Sequence, residues 1–269
     1  MKFIKNLFKF IFFLISCLFL EKKRFIILNP NLSFLGIKKV LVYDKKNKKF
    51  FIYKIRNNFD FITIEEIYFH ECYKINNLII FDKIFDELKE KKLLIVDCGS
   101  NIGCSTNYFI NSFSNSRVIS IEPDRDNFFL LKKNVQSDSA VLINSAISNE
   151  NFSYQVKDNK DNRAKSIIKT DQDDEKKTIT INQILKEKKN ENFHPFLIKI
   201  DIEGHEKDLF NSNTEWFDKF EIVIIEIHDW MIPGKSISKG YLNEIVNSMK
   251  KNNRDTIIRG ENLISIKYR

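Results

Sequence analysis

The sequence predicts an α/β fold built on a mostly parallel sheet, with helices on both faces, a closing antiparallel hairpin and a small N-terminal extension. Three observations support this prediction. A short apolar strand runs into a glycine turn within residues 93–103. Strand-like and helical segments then alternate over residues 104–251, which is typical of parallel sheets. Two short apolar segments, 256–258 and 263–267, indicate a final antiparallel pair.

Composition limits the class of protein and its compartment. With 269 residues and 43% hydrophobic residues, the chain suits one large domain with extensions. The net charge of +8 is spread among 36 acidic residues, which favours a solvated lysine-rich surface and no nucleic acid partner. Four irregularly spaced cysteines indicate reduced thiols. We therefore expect a cytoplasmic protein.

Residues 1–24 form a basic and apolar N-terminal segment. Lys2, Lys5 and Lys9 precede an apolar run at 10–20, which is shorter than the roughly 20 residues that span a bilayer as a helix. We favour a helix that packs on the domain or lies at the inner face of the membrane, which would give the protein a peripheral membrane contact. A signal sequence and a short anchor are the alternatives.

An N-terminal cap is predicted over residues 25–90. Strand-like runs at 39–43 and 50–55 flank a polar turn and are typical of a hairpin. An apolar and aromatic stretch follows at 62–73, and apolar spacing predicts a helix at 81–88. We interpret this region as a cap over the sheet edge that could form part of the ligand pocket.

A ligand-binding domain is predicted over residues 91–269, and it opens with a strand at 93–96 and a helix at about 104–113. Later strands are predicted at 117–121, 140–144, 195–201 and 221–228, and later helices at 127–135, 206–220 (one helix or a pair) and 241–251. The charged stretch 149–177 is predicted to be a hairpin with a mobile loop.

The turn after the first strand carries Asp97, Gly99, Asn101 and Gly103. Ligands of open α/β sheets bind at such a strand end. Asn101 and Cys104 stand where a dinucleotide fingerprint needs glycines, and no Lys-Ser/Thr pair follows Gly103, so NAD and P-loop nucleotides are disfavoured. A carboxylate suits a cationic amino group, and the amides of a helix N-terminus suit a carboxylate. S-adenosylmethionine has both groups.

Two further positions fit the same ligand. Glu122 ends the second strand, 25 residues after Asp97, where an acidic side chain can accept both hydroxyls of a ribose. Ser145 and Ala146 follow the third strand, where the chain would pass the adenine edge.

A second cluster lies at the predicted ends of two later strands. Side-chain alternation places Lys199, Asp201 and Glu203 on one face, and Glu226 and His228 on one face of the next strand. Buried charges are costly unless they pair or have a function, so Lys199 could simply pair with Asp201 or Glu226.

Two chemical interpretations of this cluster remain open. One residue could be a general base, and His228 is preferred because its ordinary pKa is about 6.5, with Asp201 and Glu203 as the other catalytic candidates. Alternatively, the carboxylates and the imidazole could hold a divalent metal, which we do not favour because no ligand spacing here is diagnostic.

Five motifs point to one family. They are Asp97-Cys-Gly-Ser-Asn-Ile-Gly103, Glu122-Pro123, Asn144-Ser-Ala-Ile-Ser148, Lys199-Ile-Asp-Ile-Glu-Gly-His-Glu206 and Ile225-Glu-Ile-His228. Their order and content over about residues 60–250 resemble the FkbM family of S-adenosylmethionine-dependent methyltransferases. Cys98, Ser100 and His205 depart from residues that the family more often has.

The resemblance implies a class I methyltransferase sheet, which is Rossmann-like, and O-methylation of a hydroxyl (EC 2.1.1 class), commonly on a sugar of a glycan, glycolipid or natural product. It implies cofactor binding by Asp97, Gly99, Asn101, Gly103 and Glu122. It also implies positions near the transferred methyl group for the carboxylates at 201 and 203. The alternative function is a non-catalytic cofactor-binding or membrane-associated scaffold protein of the same fold.

Overall fold

The computed structural model describes residues 23–27, 38–75, 78–157, 166–171, 176–231 and 233–268. Residues 1–22 of the predicted N-terminal segment therefore lie outside the described residues. Among the residues described, no helix is both long and apolar enough to cross a membrane. The chain divides into two compact units, Met1–Cys72 and Tyr73–Arg269. The predicted domain of residues 91–269 falls inside the second unit, and the domain bounds stay a prediction.

The first unit is a small antiparallel sheet with one helical segment. Strands β1 (Phe25–Ile27), β2 (Lys39–Asp44) and β3 (Lys49–Lys54) pair in that order, so the hairpin expected from the alternating residues of β2 and β3 is present. Helix α1 (Asn58–Ile64) continues into a π-helical turn, Glu65–Phe69.

Paired charges stabilise the first unit. The buried carboxylate of Asp44 accepts a hydrogen bond of 2.7 Å from Nη2 of Arg24, and that of Asp60 accepts one of 2.8 Å from Arg56. Each carboxylate also accepts hydrogen bonds from backbone amides, which offsets the cost of removing the charge from water.

The second unit contains the remaining elements. Its strands are β4 (Leu93–Cys98), β5 (Ser116–Ile121), β6 (Ala140–Ile143), β7 (Tyr154–Lys157), β8 (Ser166–Lys169), β9 (His194–Ile200), β10 (Ile222–Glu226), β11 (Asn253–Arg259) and β12 (Asn262–Tyr268). Its helices are α2 (Ile79–Leu88), α3 (Cys104–Ser112), α4 (Arg125–Asn134), α5 (Ile181–Lys186), α6 (Glu206–Leu209) and α7 (Lys239–Met249), with 3-10 turns at Lys188–Asn190 and Phe217–Lys219.

Seven strands form the central sheet in the order β11-β12-β10-β9-β4-β5-β6. The pairs β10–β9, β9–β4, β4–β5 and β5–β6 are parallel, and β12 runs antiparallel to both β10 and β11. The predicted α/β class, with a mostly parallel sheet and an antiparallel closing hairpin, is confirmed. β5 and β6 follow β4 on one side of the sheet, whereas β9 and β10 lie on its other side, so the strand order reverses at β4. Open α/β sheets bind their ligands at such a reversal.

The apolar runs of the sequence explain why these strands lie at the centre. All six residues of β4 are buried, and Phe196, Ile198 and Ile200 of β9 are fully buried. Such continuous apolar strands are covered on both faces by helices. The charged stretch before β9 contains the expected hairpin, in which β7 pairs antiparallel with β8.

Two strands end earlier than predicted. β9 stops at Ile200 and β10 at Glu226, whereas the sequence suggested ends at 201 and 228. After β9, Glu203 and Gly204 take left-handed conformations with φ of 56° and 92°, which an extended strand cannot contain. The region 206–220, predicted as one helix or a pair, contains two short helical segments, α6 and a 3-10 turn, and Asn213 between them has a positive φ of 57°.

Candidate active site

The turn that follows β4 is held in shape by two glycines. Gly99 has a φ of +83°, and a Cβ atom on it would lie 1.8 Å from the carbonyl oxygen of Asp201. Gly103 has a φ of +93°, and a Cβ atom there would come within 2.6 Å of the Val135 side chain. No residue with a side chain fits either position without moving its neighbours. The turn therefore depends on the glycines that the sequence singled out.

Asp97 anchors this turn to helix α3. Its side chain is fully buried, and Oδ2 accepts hydrogen bonds of 2.7 Å from the Ser105 hydroxyl and 2.8 Å from the Thr106 hydroxyl. The other oxygen, Oδ1, has no hydrogen-bond partner in the part of the chain that the structure describes, and it lies 3.6 Å from Nζ of Lys199. Ser105 and Thr106 were not predicted as site residues, although hydroxyl residues in the first turn of a helix after a strand-end carboxylate are a readable signal.

Glu122 connects the end of β5 to the same turn. Its Oε2 accepts a hydrogen bond of 2.8 Å from the backbone amide of Asn101, and Oε1 accepts one of 3.0 Å from the amide of Asp124. Burial raises the pKa of Glu122, and the two hydrogen bonds lower it. Burial has the larger effect, so the pKa is raised to about 7. Oδ1 of Asn101 is buried, and none of the described residues forms a hydrogen bond with it. The structure therefore brings together the predicted cofactor residues of the first two strands.

Ser145 and Ala146 lie past the end of β6, near this edge of the site. The side-chain amide of Asn144, the residue before them, donates a hydrogen bond of 2.8 Å to the carbonyl of Glu122. Both residues are buried, and the Ser145 hydroxyl donates a bond of 2.8 Å to the carbonyl of Lys177. Their predicted place beside an adenine ring stays a prediction.

Four side chains at or beyond the ends of β9 and β10 form what we call the acidic cluster: Asp201, Glu203, Glu226 and His228. Nε2 of His228 lies 3.6 Å from Glu226, 3.7 Å from Asp201 and 3.8 Å from Glu203. The predicted convergence is therefore present. The reason differs from the predicted one, since Asp201 and Glu203 are brought there by the left-handed turn rather than by strand alternation.

The surroundings of His228 favour the charged form of its imidazole ring. It is 2% exposed, and its Nδ1 lies 2.8 Å from Oε1 of Glu206, a residue with no exposed surface. Burial alone lowers the pKa of His228, but the hydrogen bond with Glu206 and the facing carboxylates of Glu226 and Asp201 outweigh it and raise the pKa to about 11. The ring is therefore a cation at neutral pH.

Two carboxyl groups of the cluster, those of Glu203 and Glu226, also have raised pKa values, which favour their neutral forms. Burial, followed by the charge of Asp201, raises the pKa of Glu203 to about 8. The charge of Asp201, followed by burial, raises the pKa of Glu226 to about 7. Groups whose pKa is shifted towards the working pH by burial and neighbouring charge are typical of active sites.

Lys199 links the acidic cluster to the turn after β4. We call residues 97–103 the cofactor turn because they include the residues predicted to bind the cofactor. Lys199 is 2% exposed, its Nζ donates a hydrogen bond of 2.7 Å to the carbonyl of Gly99, and it lies 3.0 Å from Oδ2 of Asp201. Burial lowers the pKa of Lys199, but Asp201 and Asp97 raise it by more, so the side chain stays charged. The expected ion pair with Asp201 is present, and it belongs to the site as well as to the core.

Other candidates are less involved. Trp230 is 66% exposed, while Trp216 is buried in the core. His194 begins β9, and its Nε2 lies 2.8 Å from Oε1 of Glu221. A pocket of about 560 Å³ lined by His194 and Phe193 lies at the amino ends of β4 and β9, away from the ends where such sheets bind ligands.

The comparisons with known proteins agree with this arrangement. A family model described as "Methyltransferase FkbM domain" matches residues 97–254, more than half of the chain. A comparison with curated proteins found no match. The matched range begins at the aspartate of the cofactor turn and includes the acidic cluster.

Several solved structures are similar at low identity. The N-terminal domain of human METTL16 matches with a TM-score of 0.41 and 12% identity, covering 85% of this chain and 87% of that one. MycE methyltransferase from the mycinamycin biosynthetic pathway, in complex with Mg and SAH, matches with a TM-score of 0.39 and 13% identity, covering 77% of this chain and 48% of that one. A methyltransferase from Geobacter sulfurreducens matches with a TM-score of 0.37 and 14% identity, over 80% and 91%.

These structural likenesses are too distant to indicate a substrate. The family model is decisive because it matches more than half of the sequence. The sheet order and the glycine turn after β4 are consistent with it. The chain therefore belongs to the FkbM family of S-adenosylmethionine-dependent methyltransferases.

Proposed function

We propose that the enzyme transfers the methyl group of S-adenosylmethionine to a hydroxyl of a sugar-containing acceptor, such as a glycan, a glycolipid or a related metabolite, bound at the acidic cluster. One observation carries this proposal: the loop of the acidic cluster touches the cofactor turn. The carbonyl oxygen of Asp201 lies where a side chain on Gly99 would be. A hydroxyl held by the cluster would therefore lie next to the cofactor.

The residues of the turn suit the cofactor. Buried oxygens of Asp97 and Asn101 have no hydrogen-bond partner among the described residues, so each can accept a bond from a ligand. Glu122 lies at the end of β5, where a carboxylate can accept the ribose hydroxyls. Gly99 and Gly103 let the backbone approach a ligand closely. We propose Ser145 and Ala146 for the adenine edge.

S-adenosylmethionine supplies a methyl group that is already activated by its sulfonium, so the protein has to align the acceptor and remove one proton. We assign the proton to Glu226 rather than to His228. The imidazole ring already carries a proton on both nitrogens at neutral pH, as its raised pKa of about 11 indicates. The raised pKa of Glu226, about 7, suits a general base near neutral pH.

Three residues of the cluster then have a role in the transfer. The acceptor hydroxyl passes its proton to Glu226 as its oxygen forms a bond to the methyl carbon and the carbon–sulfur bond breaks. The positive charge of His228 stabilises the negative charge that develops on the acceptor oxygen. Asp201, fixed by Lys199 at 3.0 Å, orients the acceptor by accepting a hydrogen bond from a second hydroxyl. Carboxylates around a pocket are good acceptors for the several hydroxyls of a sugar.

The test is methyl transfer from labelled S-adenosylmethionine to a panel of sugars, nucleotide sugars and glycans, with the product linkage read by NMR. We expect a methyl ether. Glu226→Gln should lower kcat by about 10²–10⁴, with cofactor affinity unchanged by calorimetry. Glu215→Gln is the matched control because Glu215 is solvent-exposed. Transfer to nitrogen or carbon alone, or full turnover by Glu226→Gln, would contradict the proposal.

A further inference from the structure

We infer that one face of the β2–β3 hairpin in the first unit binds the surface of an anionic membrane. We call it the hairpin face, and its side chains are those of Lys39, Leu41 and Tyr43 on β2 and of Phe50, Ile52 and Lys54 on β3. The inference does not depend on the proposed function, so either can fail alone. The membrane contact expected from the sequence involved residues 1–24, whereas the hairpin face lies entirely among the described residues.

The register of the two strands brings these six side chains together. Residues two apart in a strand point to the same side of the sheet. The antiparallel pairs are Lys39–Lys54, Leu41–Ile52 and Tyr43–Phe50. Two apolar pairs therefore lie side by side, with a pair of lysines at one end. The lysine-rich turn 45–48 follows β2 at the other end.

The opposite face of this sheet is covered, whereas the hairpin face is open to solvent. On the opposite face Val42 and Tyr53 are fully buried, and the ring of Tyr68 in the π-helical turn lies 5.7 Å from that of Tyr53. On the hairpin face Phe50 is 58% exposed and Ile52 is 60% exposed. Moving these two side chains from water into an apolar phase is favourable.

Most of the formal net charge of the chain lies around this face. Residues 38–54 contain seven lysines and one acidic residue, a formal charge of +6, whereas the whole chain has +8. The acidic residue, Asp44, is buried and lies 2.7 Å from Nη2 of Arg24. The expectation of a net charge spread over the whole surface is therefore wrong for this hairpin, which is strongly basic.

An apolar centre with lysines at both ends matches the interface of an anionic bilayer. Phe50 and Ile52 would enter the layer between the headgroups and the acyl chains, as the apolar faces of peripheral proteins do. The lysines would contact the phosphates of the lipids, and each lysine near such a surface strengthens binding by about fivefold. The charge attracts the hairpin to the membrane, and the apolar side chains hold it there.

Two other partners suit the face less well. Single-stranded nucleic acids stack their bases on exposed aromatic rings. Here the rings of Tyr43 and Phe50 lie 4.6 Å apart at an interplanar angle of 33°, so each covers part of the other. Leu41 and Ile52 offer no ring. A second copy of the chain would bring two faces of the same positive charge together, and these would repel each other.

The experiment measures co-sedimentation of the full chain with vesicles of phosphatidylcholine and phosphatidylglycerol in equal parts. We expect binding that is at least tenfold weaker with phosphatidylcholine alone and that falls when salt is raised to about 0.5 M. Phe50→Thr with Ile52→Thr should weaken binding by about tenfold, since threonine keeps the strand preference without the apolar bulk. Lys46→Gln with Lys48→Gln should weaken binding by roughly twentyfold.

Each double variant has a control with the same residue changes in the second unit. Phe129→Thr with Ile258→Thr replaces side chains that are 52% and 70% exposed. Lys250→Gln with Lys251→Gln removes two exposed lysines. Both controls should bind vesicles as the unchanged chain does. Circular dichroism and cofactor affinity show that every variant is folded.

Absence of binding to the mixed vesicles would overturn the inference. Equal binding by the hairpin variants and their controls would also overturn it and would assign the contact to another part of the chain, such as residues 1–22. So would binding of single-stranded RNA in place of vesicles, if the hairpin variants lose it. A dimer in sedimentation velocity that Phe50→Thr with Ile52→Thr dissociates would overturn it too, because the face would then bind a second copy.

Discussion

The substitution Lys199→Met tests whether one buried cation holds the two halves of the site together. Lys199 is 2% exposed, and its Nζ donates a hydrogen bond of 2.7 Å to the carbonyl oxygen of Gly99. The same Nζ lies 3.6 Å from Oδ1 of the fully buried Asp97. Methionine has a similar length and no charge. The substitution leaves the Asp97 carboxylate buried without its counter-charge and removes a hydrogen bond from the cofactor turn.

Removing one partner of a buried ion pair typically costs about 3–5 kcal/mol. Asp201, the other partner, is 22% exposed, so its share of the effect is screened by water, and Asp97 dominates. We expect the second unit to lose about 3–5 kcal/mol of unfolding free energy. For a urea m-value of roughly 2–3 kcal/mol/M, the midpoint should fall by about 1–2.5 M.

The assay is urea unfolding followed by circular dichroism, together with calorimetry of cofactor binding. Lys251→Met is the control. The Lys251 side chain is 71% exposed, and its Nζ lies 3.7 Å from Oδ2 of Asp218. Because solvent screens such a pair, this substitution should change the free energy of unfolding by at most about 1 kcal/mol. The double variant Asp97→Asn with Lys199→Met should recover part of the loss. A Lys199→Met midpoint equal to that of Lys251→Met would refute the reasoning.

Three further predictions concern the same site. Gly99→Ala should abolish cofactor binding in calorimetry, because its Cβ would lie 1.8 Å from the carbonyl oxygen of Asp201; wild-type affinity would contradict this contact. Cofactor affinity should fall as pH drops below about 7, where Glu122 gains a proton and loses acceptor capacity, and Glu122→Gln should flatten this dependence. His228→Ala should keep cofactor binding and lose turnover, and full activity in a labelled-methyl assay would remove it from the reaction.

Local patterns in the sequence were sufficient to predict most of the fold. The apolar run of β4 and the glycines after it predict a central strand and its turn, and both are present. β11 and β12 were predicted from two apolar segments close together in the chain. Such signals work because burial and turn geometry depend on neighbouring residues.

Features that depend on contacts between distant residues could not be predicted in the same way. Glu206 opens a short helix, and nothing in its neighbours indicates that it holds the ring of His228. The left-handed conformation of Glu203 could not be predicted from its residue type, since glutamate rarely adopts a positive φ. The base assignment to His228 relied on an ordinary pKa, which the surrounding carboxylates change.

The close approach of Gly99 to the Asp201 carbonyl limits how this enzyme can diverge. A side chain at position 99 requires the loop after β9 to move, and that movement displaces Asp201 and Glu203. The two segments must therefore change together or not at all during evolution. We therefore expect new acceptor preferences to arise outside the Gly99 turn and the loop after β9, for instance in the β7–β8 hairpin. Directed evolution of acceptor scope should begin in that hairpin.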